Sequence, residues 1–257
     1  MCTTIVFGEK ASADGSFIVA RSADSSSLKA QHFVIHPARQ GQTGFYSCKA
    51  HGGVNDFTYP LPENSLRYTT IPNWKTQLHG ACGFNEAGMG LTGTESIFAS
   101  EAALAVDPYV KETGITEDDI ADVLLCRCRT AREGAAELGR IIEAQGCGEG
   151  FGVASLTKPR FGTLKPVPAT TGLRSVSQPT PILPPAIRDD SKLMIRRPTT
   201  RWPRRTWLNL LSKRDSTTLK PTVNSIFPRL IRATTTRDRT YNDPRVWVMQ
   251  KRLNPFA

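Results

Sequence analysis

Apolar and polar positions alternate over short stretches in the first hundred residues and then take up a helical period. Cys2 to Phe7 and Ser16 to Arg21 read as two short strands, and Asp14 and Gly15 between them supply the turn of a hairpin. His32 to Pro37 reads as a further strand. Gly80 to Phe84 and Met89 to Thr94 form a second hairpin that turns through Asn85, Glu86, Ala87 and Gly88. Thr116 followed by Asp119 has the spacing of a helix N-cap, with Ile120, Val123 and Leu124 behind it on one face. Thr130 and Glu133 open a second helix, whose stripe is Ala135, Leu138, Ile141 and Ile142 and whose stop is Gly146. Strands followed by a helix pair predict a layered α+β domain.

From about Ser155 the periodicity is lost. Of the 18 prolines 13 lie beyond this point, only 2 of the 20 glycines do, and no glutamate follows Glu149. The charge divides at the same place. Residues 1–154 carry 12 Lys+Arg against 18 Asp+Glu, a net −6, and residues 155–257 carry 21 against 5, a net +16, which together give the formal +10. Basic, proline-rich stretches such as Ser177 to Pro185 and Arg196 to Arg205 ordinarily belong to a disordered tail. Trp202 and Trp207 among arginines also admit a nucleic-acid-binding reading, in which the rings stack on bases.

A chain of 257 residues can bury a substantial core without covalent staples. No apolar run approaches the roughly 18 residues of a membrane span, and the first residues lack a secretory pattern, so the expected location is cytoplasmic. Cys2, Cys48, Cys82, Cys126, Cys128 and Cys147 form no CxxC pair and no compact disulfide spacing. Neither these cysteines nor His32, His36, His51 and His79 make a recognisable metal set, so no metal and no cofactor is expected.

The candidate chemistry lies at the N-terminus. Excision of Met1 leaves Cys2 with a free α-amine beside its own thiol. An amine of pKa about 7.7–8.0 can accept the proton of a thiol of pKa about 8.5, so nucleophile and base arrive in one residue. Around this residue stand Cys2-Thr3-Thr4-Ile5-Val6, Ala11-Ser12-Ala13-Asp14-Gly15-Ser16 and Ala20-Arg21. Further along come Phe57-Thr58-Tyr59-Pro60-Leu61-Pro62, Arg67-Tyr68-Thr69, Phe84-Asn85-Glu86-Ala87-Gly88, Thr94-Glu95-Ser96 and Ala131-Arg132-Glu133-Gly134. These blocks resemble the dipeptidase A family of cysteine peptidases, which belong to the N-terminal-nucleophile hydrolases.

The resemblance implies an α+β, four-layered αββα fold, incomplete in this chain, and hydrolysis of dipeptides or short peptides through a thioester on Cys2. It implies that Cys2 is the catalytic nucleophile, that Arg21 supports the thiolate and the developing oxyanion, and that Asp24 orients the amine. Thr94 and Glu95 are weaker candidates for contact with substrate or oxyanion. A homo-oligomer is compatible with this reading, and an acylase or amidohydrolase of the same superfamily is the alternative within the same chemistry.

The family continues after its helix pair with acidic, aromatic strands, which the basic segment lacks. A shift of reading frame explains the contrast. If each codon takes the last base of one residue and the first two of the next, the run from Ser155 to Leu173 can encode IADETEIWYLETGTGHHWL, and the run from Arg174 can continue AVGIAADSYF. From Thr236 to Trp247 the sequence again resembles the family without a shift. The expected organisation is therefore residues 1–154 as the first part of the hydrolase domain, 155–235 as a frame-shifted, non-native or disordered segment, and 236–257 as a short family-like segment. The shifted segment is where the family's oxyanion-binding asparagine is expected, so an inactive remnant is a further reading.

Overall fold

The computed structural model describes residues 2–7, 12–16, 18–24, 30–72, 80, 82–94, 99, 101–105, 107–157, 160–166 and 172–177, together with Val248 and Arg252. Eleven strands, three α-helices and a short 3-10 helix at Lys49–His51 lie within them. Strands β1 (Cys2–Phe7) and β2 (Ile18–Ala23) pair antiparallel as the first hairpin. The second strand starts two residues later than its apolar pattern suggests, because the turn runs on. The Ser16 amide donates to Asp14 Oδ1 at 3.0 Å, the Ser12 hydroxyl donates to the Ser16 carbonyl at 2.7 Å, and Gly15 takes φ 70°.

Two small antiparallel pairs follow: β3 (Val34–His36) with β6 (Tyr68–Thr70), and β4 (Phe45–Ser47) with β5 (Thr58–Pro60). The second predicted hairpin is present as β7 (Cys82–Phe84) and β8 (Gly90–Thr94). These two strands enter a five-stranded antiparallel sheet of order β11-β10-β9-β8-β7. Its other members are β9 (Gly152–Thr157), β10 (Arg160–Pro166) and β11 (Gly172–Ser177). Strand β9 thus runs across the composition boundary at Ser155, and β10 and β11 lie beyond it.

Helix α1 (Glu101–Leu104) is a single turn, and α2 (Glu117–Leu125) and α3 (Ala131–Gln145) are the two helices read from the sequence. Asp119 Oδ2 accepts from the Thr116 amide at 3.0 Å and from its hydroxyl at 2.7 Å, which closes the start of α2. The Glu133 amide donates to Thr130 Oγ1 at 3.2 Å, and Gly146, at φ 79°, ends α3 with its amide on the Ile142 carbonyl. The apolar stripes Ile120, Val123, Leu124 and Leu138, Ile141, Ile142 are buried, and they pack with Met89, Leu91 and Val153 in one core. Each such side chain contributes roughly 1.5–3 kcal/mol on leaving water.

Sheet alternation then makes three layers. On β8 and β9, Leu91 and Val153 face the helices, and the Ser155 hydroxyl donates to the Ala131 carbonyl of α3's first residue at 3.2 Å. Ala154 and Leu156 point the other way and pack with Val19 of β2, while Thr92 meets Thr4 of β1. Helices therefore cover one face of the sheet and the β1–β2 ribbon covers the other, so all five residues of β8 are buried. None of the helices among the described residues is long and apolar enough to cross a membrane.

Candidate active site at the N-terminal ribbon

The ribbon is fastened to the sheet by two polar contacts of β8. Thr4 Oγ1 lies 3.3 Å from Thr92 Oγ1, with both residues buried. Arg21, directly opposite Thr4 in the hairpin, donates from Nε to the Gly93 carbonyl at 3.0 Å. The guanidinium then continues past the sheet into the helix layer, where Nη2 donates to Glu117 Oε1 at 3.0 Å. The two side chains are 9% and 5% exposed, so this is a buried ion pair rather than a solvated surface contact. Glu117 is the first residue of α2, where the partial positive charge of the helix N-terminus favours a carboxylate. Its own amide donates to Glu149 Oε1 at 3.0 Å, which ties in the segment leading to β9.

Cys2 is placed by its backbone as the first residue of β1, opposite Ala23. In that register Arg21 is its diagonal cross-strand neighbour, at a separation of roughly 7–8 Å between Cα atoms that a long side chain can span. Asp24 follows Ala23 and so stands at the level of the chain start, with Oδ1 accepting from the Ser22 hydroxyl at 3.4 Å. The fold thus brings positions 2, 21 and 24 to one end of one ribbon. Thr94 lies one residue beyond the carbonyl that holds Arg21. It is 1% exposed, and its hydroxyl has no hydrogen-bond partner among the described residues. Glu95 lies outside the described residues.

Glu117 went unnoticed in the sequence because an acid in the first turn of a helix is ordinary. Its only signal was the acidic run Glu117-Asp118-Asp119 behind the cap residue, of which Asp119 serves the cap. Several of the family-like blocks prove architectural. The Asn85 amide nitrogen donates to the carbonyls of Leu125 at 2.9 Å and Cys128 at 2.7 Å, while its oxygen accepts from the amides of Ala87 and Met89. Phe57 is wholly buried, the Tyr59 hydroxyl donates to Glu137 at 2.8 Å, and the Tyr68 hydroxyl donates to Asp122 at 2.8 Å. Four of the residues weighed as metal ligands have other contacts. Cys128 lies in the core, Cys126 Sγ contacts the Val123 carbonyl at 3.4 Å, His36 pairs with Thr70 at 2.8 Å, and His51 contacts the Ser47 carbonyl at 2.9 Å. His79 lies outside the described residues.

Residues 1–158 match peptidase family C69, which is 158 of 257 positions. The chain belongs to peptidase family C69. A probable dipeptidase of Salmonella dublin is 40% identical over 99% of this chain and 58% of its own length. A probable dipeptidase of Latilactobacillus sakei is 30% identical over 99% of the chain and 53% of its own length. The chain thus spans little more than half the length of these curated C69 relatives. Penicillin V acylase from Agrobacterium tumefaciens superposes with a TM-score of 0.44 at 14% identity, over 68% of this chain and 50% of that one.

Proposed function

We propose that this C69 chain carries the nucleophile end of a cysteine-type dipeptidase, in which Cys2, freed by removal of Met1, attacks the carbonyl of a dipeptide or short peptide. The observation that carries the reading is the register of the ribbon: Cys2 opposite Ala23, Arg21 diagonal to it, and Asp24 at the chain start. The relatives' names, each a probable dipeptidase, supply the substrate class. In the first step the α-amine takes the thiol proton, sulfur bonds to the carbonyl carbon, and the C–N bond breaks as the amine product leaves with that proton. Water then cleaves the thioester to release the acid and restore the thiol. Arg21 stabilises the thiolate and the developing oxyanion, Asp24 orients the ammonium, and the Thr94 hydroxyl and Glu95 border the substrate. No metal or organic cofactor takes part, and the enzyme works in the cytoplasm. The helix, sheet and ribbon layers are three of the four layers of an αββα fold, and a second helix layer completes it.

The same proposal holds that the codons between Ser155 and about Ala233 are read out of frame. Two observations support it. The family match stops at residue 158, beside the composition boundary. The shifted strings IWYLET and WLAVGI, both alternating or apolar strand sequence, fall on residues 161–166 and 172–177, where the backbone forms β10 and β11. Sequencing the locus decides this, because DNA that cannot encode those strings in the shifted frame removes it.

The test of the function is alkylation of the natively expressed chain with iodoacetamide, followed by intact mass and N-terminal peptide mapping, with a dipeptide-hydrolysis screen in parallel. Loss of Met1, preferential labelling of Cys2, and hydrolysis abolished in Cys2→Ala are the expected results. Retention of Met1 with an unreactive Cys2 refutes the reading for this product.

A further inference from the structure

We propose that Glu117 is a positioning residue for the Cys2 reaction, fixing the guanidinium of Arg21 beside the nucleophile; the inference rests on the dipeptidase reading above. The argument starts from where Arg21 is held. Its Nε is bound to the Gly93 carbonyl and its Nη2 to Glu117, both at 3.0 Å, so the plane of the guanidinium is set by two points on two different layers. A planar donor bound at two of its nitrogens cannot rotate about its stem without losing one of them. The Gly93 carbonyl is neutral and belongs to the central sheet. Glu117 opposes the charge of Arg21 in an ion pair, and it does so from a buried site at the start of a helix. Glu117 is itself held, through its amide on Glu149. Thr4 and Arg21 stand opposite one another in the ribbon, and Cys2 lies two residues along β1 from Thr4, diagonal to Arg21.

Among the described residues, the charged groups at this junction are Arg21 of β2 and Asp24 just after it, Glu117 and its neighbour Asp118 from α2, and Glu149 ahead of β9. Glu117 has two effects on Cys2, and they oppose one another. As an acceptor it fixes Arg21, whose charge favours the thiolate in the proposed reaction. As an anion it offsets part of the Arg21 charge, which disfavours it. Two substitutions separate the effects. Glu117→Gln keeps a carbonyl acceptor of the same length and removes the charge, so Arg21 stays and acts on Cys2 undiminished. Glu117→Ala removes acceptor and charge together, and Arg21 is no longer aimed.

The experiment measures the rate of Cys2 alkylation by iodoacetamide against pH, on the full chain, by peptide mass. It requires only the environment of the nucleophile, so it is independent of turnover. Circular dichroism establishes that each variant retains its helices. The Gln variant is expected to alkylate about threefold faster than wild type below the thiol pKa, and the Ala variant about tenfold slower, with its profile matching Arg21→Ala. Shifts of the same sign in both variants, or no shift in either, overturn the inference, since a merely structural role has no reason to give opposite signs. If Glu117→Ala does not fold, the acceleration in Glu117→Gln decides alone. A wild-type Cys2 that is no more reactive than the buried cysteines refutes the dipeptidase reading itself, whereas a reactive Cys2 indifferent to Glu117 refutes only the role of Glu117.

Discussion

Replacing Asn85 by alanine tests whether the turn between β7 and β8 is held by one side chain. Asn85 is 7% exposed and uses all its hydrogen-bonding directions inward. Its nitrogen donates to the carbonyls of Leu125 at 2.9 Å, the last residue of α2, and of Cys128 at 2.7 Å in the connection to α3. Its oxygen accepts from Ala87 at 3.2 Å and Met89 at 3.0 Å, which shapes the turn into β8. Alanine strands two carbonyls and two amides. At a net cost of about 1 kcal/mol for each lost hydrogen bond, the loss is about 3–4 kcal/mol, a large fraction of the stability of an ordinary domain. Urea denaturation followed by far-ultraviolet circular dichroism, which reads α2 and α3, measures it. Asn85→Asp sharpens the test. It preserves the two accepted bonds but turns an oxygen toward two carbonyl oxygens, so the variant should be at least as unstable as alanine at neutral pH. It should recover part of the loss as pH falls, because the folded state then favours the protonated acid. A loss below about 1 kcal/mol in Asn85→Ala refutes the assignment of the turn to this side chain.

Three further outcomes follow from burial and backbone geometry. Burial pushes the thiols of Cys48 and Cys128 up to about 12 and raises those of Cys126 and Cys147, so all four should stay unmodified by iodoacetamide near pH 8 in the folded chain and react once urea is added; peptide mass spectrometry reads both states. Gly83→Ala should destabilise by more than about 2 kcal/mol, because a Cβ there runs into the Thr69 backbone carbonyl, which cannot swing aside; the urea midpoint checks it. Asp119 is fully buried, and desolvation raises its pKa above 3.8 despite bonds from Thr116, Tyr46 and Cys48. A raised acid binds its proton more tightly when folded, so it gives stability that is present at low pH and lost as pH rises from 3.8 through the folded value. Asp119→Asn should abolish that component of the pH slope, measured as urea midpoints across the acidic range.

Much of this was legible in the sequence where the cause is local. The caps at Thr116 and Thr130, the stop at Gly146 and the turn at Asn85 to Gly88 depend on residues three or four apart, and the helix stripes depend on a period that any window reveals. The pairs β4–β5 and β3–β6 were harder to read. Their three-residue strands join partners well separated in the chain and carry too few positions to show alternation. The pattern also hid the layering. Strand β8 is Gly-Leu-Thr-Gly-Thr and does not look like a doubly buried strand, yet Leu91 faces the helices while Thr92 meets Thr4 of the ribbon on the other side. Arg21 and Glu117 are 96 residues apart, and no spacing rule connects them.

The long-range pair has a further consequence for the chain's incomplete likeness to its relatives. Arg21, Gly93, Glu117 and Glu149 all precede Ser155, so the contacts that fasten the ribbon across the sheet to the helices are encoded in the part of the chain whose composition is ordinary. These polar contacts therefore lie outside the basic segment, although Leu156 of β9 packs on Val19 of the ribbon and β10 and β11 extend the sheet. If that segment is replaced by the sequence of the proposed frame, the ribbon junction should be unchanged and the Cys2 alkylation profile should match that of the present chain. Dipeptide turnover should rise only in the restored protein. Equal turnover in both would mean that the replaced residues contribute nothing to the reaction, and a changed alkylation profile would mean that these polar contacts do not by themselves set the surroundings of Cys2.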